Sequence, residues 1–408
     1  MLSQSEKETI LSDVSSRKNT LFNLLSQLIQ IRSYTGEEEK IVKFIQSHMQ
    51  EFEFDDVFID TFGNSIGRIG NGPVKIFYDA HVDTVAVNDF DAWPHPPFEG
   101  KIVDGKIYGR GAVDEKPAMA GYLMAGKAIR SCFKDRELPF SLFIIGSVME
   151  EDVDGYPLYH IIQNEKIKPD FVVLGEPTNL SLYRGQRGRM ELEIVTQGRS
   201  AHGAHNEKGI NAVYKMMPIV SEIEKLDRQL PSRDPLGKGS ITVSQIVSQS
   251  PSLCSVPDCC KIHLDRRLTL GETRKTVMDE LNTIIRSSGM DGDVSIPTYN
   301  GKSWTGHEFK QEAFFPTWIL EHDHPLTMAG LNTSRMVLND PAQLGTWKFS
   351  TNGVATAGHF NIPTIGFAPG KEELSHSSKE ELILDDLLKA THFYALFPFE
   401  LMSILGKV

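Results

Sequence analysis

Two short runs of mainly apolar residues limit the folds open to this chain more than any other feature. Residues 141–148 and 170–174 show almost no polar alternation, which is typical of strands covered on both faces. Other predicted elements are strands at 57–60, 65–69 and 74–78 and helices around 21–29, after Gly36, at 115–129 and from Lys379. Strands that alternate with helices predict an α/β fold around a mostly parallel sheet.

The pattern changes in the middle of the chain. Residues 190–196 alternate between apolar and polar side chains, as in a sheet with one wet face. The elements predicted after that strand are a helix at 210–226, strands at 240–247 and 261–268, and a helix at 272–287. We therefore expect an inserted α+β domain of ferredoxin-like type at 181–297. Residues 1–180 and 298–408 would together form the α/β domain.

Composition and charge exclude several classes of function. The chain carries 42 Lys and Arg against 54 Asp and Glu, a formal net charge of −12. Such an acidic chain lacks the basic surface that nucleic acid or an anionic membrane requires. No run approaches the about 18 apolar residues of a spanning helix, the amino-terminal residues lack the apolar core of a signal peptide, and the cysteines have no C-x-x-C spacing. We expect a reduced cytoplasmic protein with no nucleic-acid or membrane partner.

Histidine and acidic residues gather where the predicted strands end. Those that follow a strand directly are His81, Asp83, Glu150, Glu151 and Glu176. Asp114 lies between a glycine-rich turn and a helix, and His376 lies near the last predicted helix. Because ligands of open α/β sheets bind outside the carboxyl ends of the strands, these side chains should converge.

Each of these motifs alone has an ordinary interpretation, such as a hydrogen-bonded core histidine or a solvated acidic loop. Together, two histidines and several acids are costly to bury unless a cation compensates them. Imidazole with carboxylate, and without thiolate, suits zinc or a similar divalent ion. The set therefore predicts a metal site.

Six motifs, in order along the chain, carry a family resemblance. They are YDAHVDTV, GRGAVDEKPAMAGYLMA, GSVMEED, VVLGEPT, GRSAHGAHNEKGINAV and SHSSKEE. They resemble the dinuclear-zinc metallopeptidases and deacylases that include acetylornithine deacetylase, succinyl-diaminopimelate desuccinylase, carboxypeptidase G and aminoacylase. The stretch GTWKFSTNGVATAG is most similar to a deacylase-like branch linked to selenium metabolism. The resemblance implies a zinc-hydrolase catalytic domain with an inserted lid domain that also forms a homodimer.

The resemblance also implies a role for each residue of the polar set. Two Zn²⁺ per subunit, for which Co²⁺ or Mn²⁺ can substitute, would be held by His81, Asp114, Glu151, Glu176 and His376. Asp114 would bridge the ions about 3.5–4 Å apart, and Asp83 would orient His81. Glu150, beside a water of lowered pKa, would be the general base. The resemblance further implies a cis peptide bond after Asp114.

Three more residues are assigned to the substrate by the same resemblance. His202, in the inserted domain, would polarise the scissile carbonyl, commonly from the neighbouring subunit of a dimer. Arg267 would hold a substrate carboxylate, which a guanidinium fork suits. Asn352 stands near the substrate where the family commonly has aspartate. Without the resemblance, His202 is an ordinary loop histidine and Arg267 an ordinary strand arginine.

The favoured interpretation is a metal-dependent hydrolase that cleaves the linear amide bond of an N-acyl amino acid, as a deacetylase or desuccinylase does. A dipeptidase or carboxypeptidase that acts on short peptides is the alternative. A two-metal phosphoesterase would need a basic cluster or a helix amino terminus to bind phosphate, and the sequence contains no glycine-rich phosphate loop. A binding module that has lost the site would lack a ligand or the base, and all of these residues are present.

Overall fold

The computed structural model describes residues 2–407. Its α-helices are α1 (Gln4–Ser16), α2 (Lys18–Gln30), α3 (Glu39–Glu51), α4 (Lys116–Cys132), α5 (Tyr156–Gln163), α6 (Ala212–Gln229), α7 (Arg274–Ser287), α8 (Pro325–Leu338) and α9 (Leu384–Ile404). None of these helices is long and apolar enough to cross a membrane.

The same residues form twenty-one strands. In chain order they are β1 (Asp56–Ile59), β2 (Ser65–Ile69), β3 (Val74–His81), β4 (Lys101–Val103), β5 (Lys106–Tyr108), β6 (Phe140–Ser147), β7 (Phe171–Leu174), β8 (Leu182–Gln186), β9 (Gly188–Gln197), β10 (Ser232–Arg233), β11 (Gly237–Lys238), β12 (Ser240–Gln249), β13 (Cys259–Leu268), β14 (Asp293–Ser295), β15 (Thr298–Lys302), β16 (Glu308–Glu312), β17 (Phe314–Phe315), β18 (Trp318–Ile319), β19 (Leu344–Trp347), β20 (Thr364–Gly366) and β21 (Glu381–Ile383).

The largest sheet has the strand order β1-β2-β6-β3-β7-β20-β8-β18, and β19 also pairs with β8. Its central strands β6, β3, β7 and β20 are parallel, whereas β1 and β2 form an antiparallel edge. The register places His81, the last residue of β3, beside Ser147, the last residue of β6. The predicted parallel α/β sheet is confirmed at its centre, where the four carboxyl ends face one edge.

Both faces of this sheet are covered, which explains its continuous apolar runs. On one face, Tyr78 and Ile144 pack into a core with residues of α4 and α9. On the other face, Phe77 and Ile145 pack into a second core with Trp347. Because neighbouring residues of one strand enter different cores, the strands contain little polar alternation.

The inserted segment forms a separate antiparallel sheet of order β12-β13-β9-β14. The chain order β9-α6-β12-β13-α7-β14 matches the predicted strand and helix order of a ferredoxin-like domain. Met216 of α6 and Leu281 of α7 share one core with Leu192 and Leu264 of the sheet. Burial alternates along β9 and β13 because the helices cover one face.

The chain passes between the two sheets at two points. Strand β8 lies in the large sheet and β9, which begins two residues later, lies in the inserted sheet. On the return, β17 still pairs with β9, while β18 pairs with β8. Strand pairing of the inserted sheet therefore continues past residue 297, and the limits at 181 and 297 stay predictions.

Two helices differ from the sequence prediction. The helix predicted from Lys379 begins at Leu384, because residues 381–383 pair with β5 as strand β21. Helix α1 is not predicted from apolar spacing. It begins with a capping box between Ser3 and Glu6, which supplies partners for the free N–H groups of its first turn.

Candidate active site

The predicted acidic and histidine side chains converge at the carboxyl edge of the parallel strands. The strand ends contribute His81 of β3, Glu150 and Glu151 after β6, and Glu176 after β7. The loop before α4 contributes Asp114, and the segment before β21 contributes His376. The edge predicted from the apolar runs is therefore where these residues meet.

A first cluster contains His81, Asp114, Glu115 and Glu176, and one ligand atom from each lies within 4.8 Å of the others. Nε2 of His81 lies 2.9 Å from Oδ1 of Asp114 and 3.9 Å from Oε2 of Glu115. All four residues are buried. Three of them are predicted ligands, and Glu115 is an addition.

A second cluster contains Asp114, Glu151 and His376. Nε2 of His376 lies 3.3 Å from Oδ2 of Asp114 and 3.0 Å from Oε2 of Glu151. The two carboxylate oxygens of Asp114 thus face different histidines. Asp114 belongs to both clusters, as a bridging ligand would.

Asp83 holds both the histidine of the first cluster and the loop after β6. Nδ1 of His81 donates to the backbone oxygen of Asp83 at 3.0 Å and lies 3.5 Å from its Oδ1, which leaves Nε2 directed at Asp114. The Asp83 carboxylate also accepts the backbone N–H groups of Glu150 at 3.1 Å and Glu151 at 3.2 Å. It therefore orients a predicted ligand and the predicted base together.

Burial and crowding of like charges perturb the ionisation of these groups. Burial and then the charge of Glu176 raise the pKa of Glu150 well above its ordinary value. Burial and then the charge of Glu115 do the same to the pKa of Glu176. Hydrogen bonds with Asp114 and then Glu151 raise the pKa of His376 to about 10. The clusters hold more buried carboxylate than their histidines can neutralise.

These residues fit divalent cations. Oε2 of Glu115 and Oε1 of Glu150 are buried and have no hydrogen-bond partner among residues 2–407. A buried polar atom without a partner costs about 1–3 kcal/mol. Imidazole and carboxylate donors are those that zinc and similar ions bind, so a cation at each cluster would compensate the charge.

Residues 77–399 match the model of peptidase family M20/M25/M40. The chain belongs to this family. It is accordingly a metal-dependent hydrolase, as the sequence predicts.

Two relatives show how far the similarity extends within the M20 group. The uncharacterized protein YgeY of Escherichia coli (strain K12) is 40% identical over 379 residues, which cover 93% of this chain and 94% of that protein. A succinyl-diaminopimelate desuccinylase of Colwellia psychrerythraea is 22% identical over 395 residues, which cover 92% and 94% of the two chains.

Two solved structures share the M20 fold. Aminopeptidase PepT from Bacillus cereus superposes with a TM-score of 0.72 at 18% identity, covering 94% of this chain and 98% of its own. The Bacillus subtilis YXEP protein, a dinuclear metal binding peptidase of family M20, superposes with a TM-score of 0.69 at 13% identity, covering 96% and 99%. These likenesses confirm the fold.

Residues of both clusters line a cavity of about 720 Å³, and Glu150 lines it as well. The predicted substrate residue Arg267 lines it as well. Nε and Nη2 of Arg267 donate to the carboxylate of Asp265 at 2.8 and 3.0 Å. The guanidinium is therefore held by a bidentate pair at the side of the cavity.

His202 is not among the residues that line this cavity. It is exposed, and its Nδ1 accepts the backbone N–H of Ala204 at 3.0 Å. Its backbone pairs with Ser255 of the inserted domain. A single chain in this conformation does not bring His202 into the cavity lining.

Asn352 is likewise not among the lining residues, which disagrees with the predicted substrate contact. The side chain is 2% exposed. Its amide nitrogen donates to Oδ2 of Asp79 at 2.9 Å and to Oγ of Ser147 at 3.0 Å, and its Oδ1 accepts the N–H of Gly155 at 2.9 Å. Because both amide atoms are bonded inside the protein, Asn352 links β3 and β6 to the loop after Glu151.

Two features of the site are missed by sequence reasoning. Glu115 follows a predicted ligand and directly precedes a helix, where an acidic residue is common. The sequence alone therefore does not indicate a role for it in the site. In the structure its Oε1 accepts the backbone N–H of His81 at 2.6 Å, and the peptide bond from Asp114 to Glu115 is cis, as predicted. The second feature is an ion pair of Arg189 and Asp154 at 3.2 Å, both of which line the cavity. The alternation of β9 indicates only that Arg189 lies on the solvent-facing side of the sheet, and not that it reaches the cavity.

Proposed function

We propose that this chain is a dinuclear metal-dependent amidohydrolase that cleaves the amide bond of an N-acyl amino acid. The observation that carries the proposal is the position of Asp114, whose Oδ1 faces His81 and whose Oδ2 faces His376. Sequence similarity supports the same class of reaction, since a relative that aligns over 92% of this chain is named succinyl-diaminopimelate desuccinylase.

Two Zn²⁺ are the proposed cofactors, one at each cluster. Their ligands would be His81, Asp114 and Glu176 at the first cluster and Asp114, Glu151 and His376 at the second. When bound, such ions polarise a scissile carbonyl and lower the pKa of a water towards about 7. Glu115 would stabilise the first cluster by accepting the N–H of His81.

Glu150 is the proposed general base. Its side chain is buried yet lines the cavity, and its Oε1 has no hydrogen-bond partner within residues 2–407. The backbone N–H of Glu150 is held by Asp83 at 3.1 Å, which fixes the start of the side chain. Divalent cations bound at the two clusters would favour the ionised form of Glu150. The carboxylate would then take a proton from the attacking water and pass it to the leaving amine.

Arg267 is the proposed partner of the substrate carboxylate. It lines the same cavity as Glu150, and its pairing with Asp265 restricts the guanidinium to one orientation. A carboxylate bound there would hold the substrate in the cavity that residues of both clusters line. A short peptide offers the same amide and carboxylate, so dipeptides are the alternative substrates.

His202 is the proposed carbonyl-polarising residue, supplied by the partner of a homodimer. Strand β12 lies at the edge of the inserted sheet, and its residues from Ser244 onward are exposed. Ile246 is 52% exposed there, and Tyr214 on the adjacent helix α6 is 75% exposed. An open strand edge with exposed apolar side chains favours pairing with a second copy.

The substitution Glu150→Gln tests the proposal, because it keeps the shape of the side chain and removes the proton acceptor. We expect the turnover of acetylated amino acids to fall about 10²–10⁴-fold with an unchanged cation content. Asp152→Asn, an exposed carboxylate on the same loop, is the matched control and should retain turnover. Loss of cation from Glu150→Gln would make Glu150 a ligand. Wild-type protein that hydrolyses neither acyl-amino acids nor dipeptides would overturn the function.

A further inference from the structure

The loop that carries Asp114 and the segment that carries His376 are joined side by side. Strands β5 and β21 pair antiparallel, with Tyr108 opposite Glu381. Beyond this pairing, the N–H of Gly109 donates to the backbone oxygen of Glu380 at 3.3 Å. The two metal-cluster residues therefore lie just past the end of one short ladder.

The side chain of Glu380 extends that ladder towards the site. It is 0% exposed and forms an ion pair with Arg110. Its Oε2 accepts the backbone N–H of Gly111 at 2.8 Å and of Val113 at 3.4 Å. Val113 directly precedes Asp114 in the chain. One buried carboxylate thus holds the residues that lead into the shared ligand.

His376 depends on such external support. Its side chain is half exposed, and its backbone has φ of 60°, a left-handed conformation that is strained for a residue other than glycine. Between β20 and β21 the chain contains one short 3₁₀ helix, Glu372–Leu374. Contacts to neighbouring segments, rather than regular structure of its own, therefore determine where His376 lies.

We propose that Glu380 is a positioning residue that sets the affinity of the second cluster for its cation. By holding Gly111 and Val113 against its own segment, it fixes the separation of Asp114 and His376. His81 ends β3 and Glu176 follows β7, and within residues 2–407 neither side chain forms a hydrogen bond or ion pair with Glu380. Apart from the shared Asp114, the first cluster should therefore change less. The inference rests on the proposed dinuclear function.

The test is titration of metal-free protein with Zn²⁺ in a calorimeter. Glu380→Gln keeps the shape but leaves one carboxylate oxygen fewer for Arg110 and the loop N–H groups. We expect wild type to bind two equivalents and the variant to bind one of them at least about tenfold more weakly, because losing a partner that orients metal ligands costs about 10–100-fold in affinity. The matched control is Glu381→Gln on the same strand, which removes a partly exposed ion pair with Lys106 and should bind both equivalents normally.

A second variant keeps the test decisive if Glu380→Gln does not fold. Glu380→Asp preserves the charge beside buried Arg110 but shortens the reach to Gly111, so it should also weaken one equivalent. Normal binding of both equivalents by a folded variant, checked by circular dichroism, would overturn the inference, as would equal weakening by Glu381→Gln. Wild-type protein that binds fewer than two equivalents would instead contradict the proposed function, and the inference with it.

Discussion

Asp114 and His376 come from distant parts of the chain and meet with Oδ2 and Nε2 3.3 Å apart. The other oxygen of the same carboxylate, Oδ1, lies 2.9 Å from Nε2 of His81. A single aspartate therefore joins two clusters of metal-binding side chains. This shared residue, the proposed base Glu150 and the proposed carbonyl-polarising residue His202 can each be tested separately.

His202→Ala should lower turnover about 10²–10³-fold, the usual effect of removing a group that stabilises a developing oxyanion. Cation content should not change, because His202 lies outside both clusters. Elemental analysis and steady-state kinetics measure the two quantities. His205→Ala, a neighbouring exposed histidine, is the control and should retain turnover.

Mixing His202→Ala with Glu150→Gln tests whether His202 acts on the partner subunit. In a mixed dimer, one site would contain both defects and the other neither, so activity should reappear at up to about half per mixed dimer. Native mass spectrometry confirms that subunits have exchanged. Exchange without recovered activity would contradict action in trans.

Arg267→Ala should raise KM for an N-acyl amino acid about tenfold or more, because a charge-assisted hydrogen bond contributes about 1.5–3 kcal/mol. The carboxamide of the same substrate lacks the negative charge and should be affected far less by the substitution. KM for both compounds with wild type and variant provides the measurement. Equal losses for acid and carboxamide would remove Arg267 from carboxylate binding.

Glu38→Gln should become more stable relative to wild type as pH rises. Burial and then the charge of Asp83 raise the pKa of Glu38 from 4.5 to about 8, and its Oε1 accepts the N–H of Met149 at 3.1 Å. The folded protein thus holds this proton more tightly than the unfolded chain, so ionisation penalises folding increasingly between those two values. We expect the Tm difference, variant minus wild type, to grow by about 2 °C or more between about pH 5 and pH 8.

The control for this experiment is Glu37→Gln, which changes an exposed neighbour and should show a Tm difference independent of pH. A constant difference for Glu38→Gln over the same range would contradict the assigned pKa of Glu38. Thermal unfolding followed by circular dichroism at several pH values measures both variants.

The central sheet and the residues at its edge were predictable because each depends on local order along the chain. His81, Glu150 and Glu176 each follow an apolar run, and parallel strands bring the ends of such runs to one edge. The alternation around Leu192 likewise marks a sheet covered on one side. In both cases the pattern of burial follows from the order of apolar and polar residues along a short stretch of the chain.

The remaining features depend on contacts between distant segments, which no local pattern reports. Asn352 bonds to Asp79 and Ser147, so its role follows from how the late loop crosses the strand ends. Glu380 reaches the loop before Asp114 only because β21 pairs with β5. The same pairing explains why the last helix begins at Leu384 and not at Lys379. Residues 381–383, which are predicted to be helical, form strand β21.

The cation content of Asp114→Ala tests the central claim most directly. Wild-type protein and the variant would be purified in the presence of Zn²⁺ and analysed by elemental mass spectrometry, with Asp152→Ala as an exposed carboxylate control. Because both clusters share Asp114, we expect two ions per chain in wild type and control and loss of both in the variant. An Asp114→Ala protein that still holds two ions per chain would contradict the account.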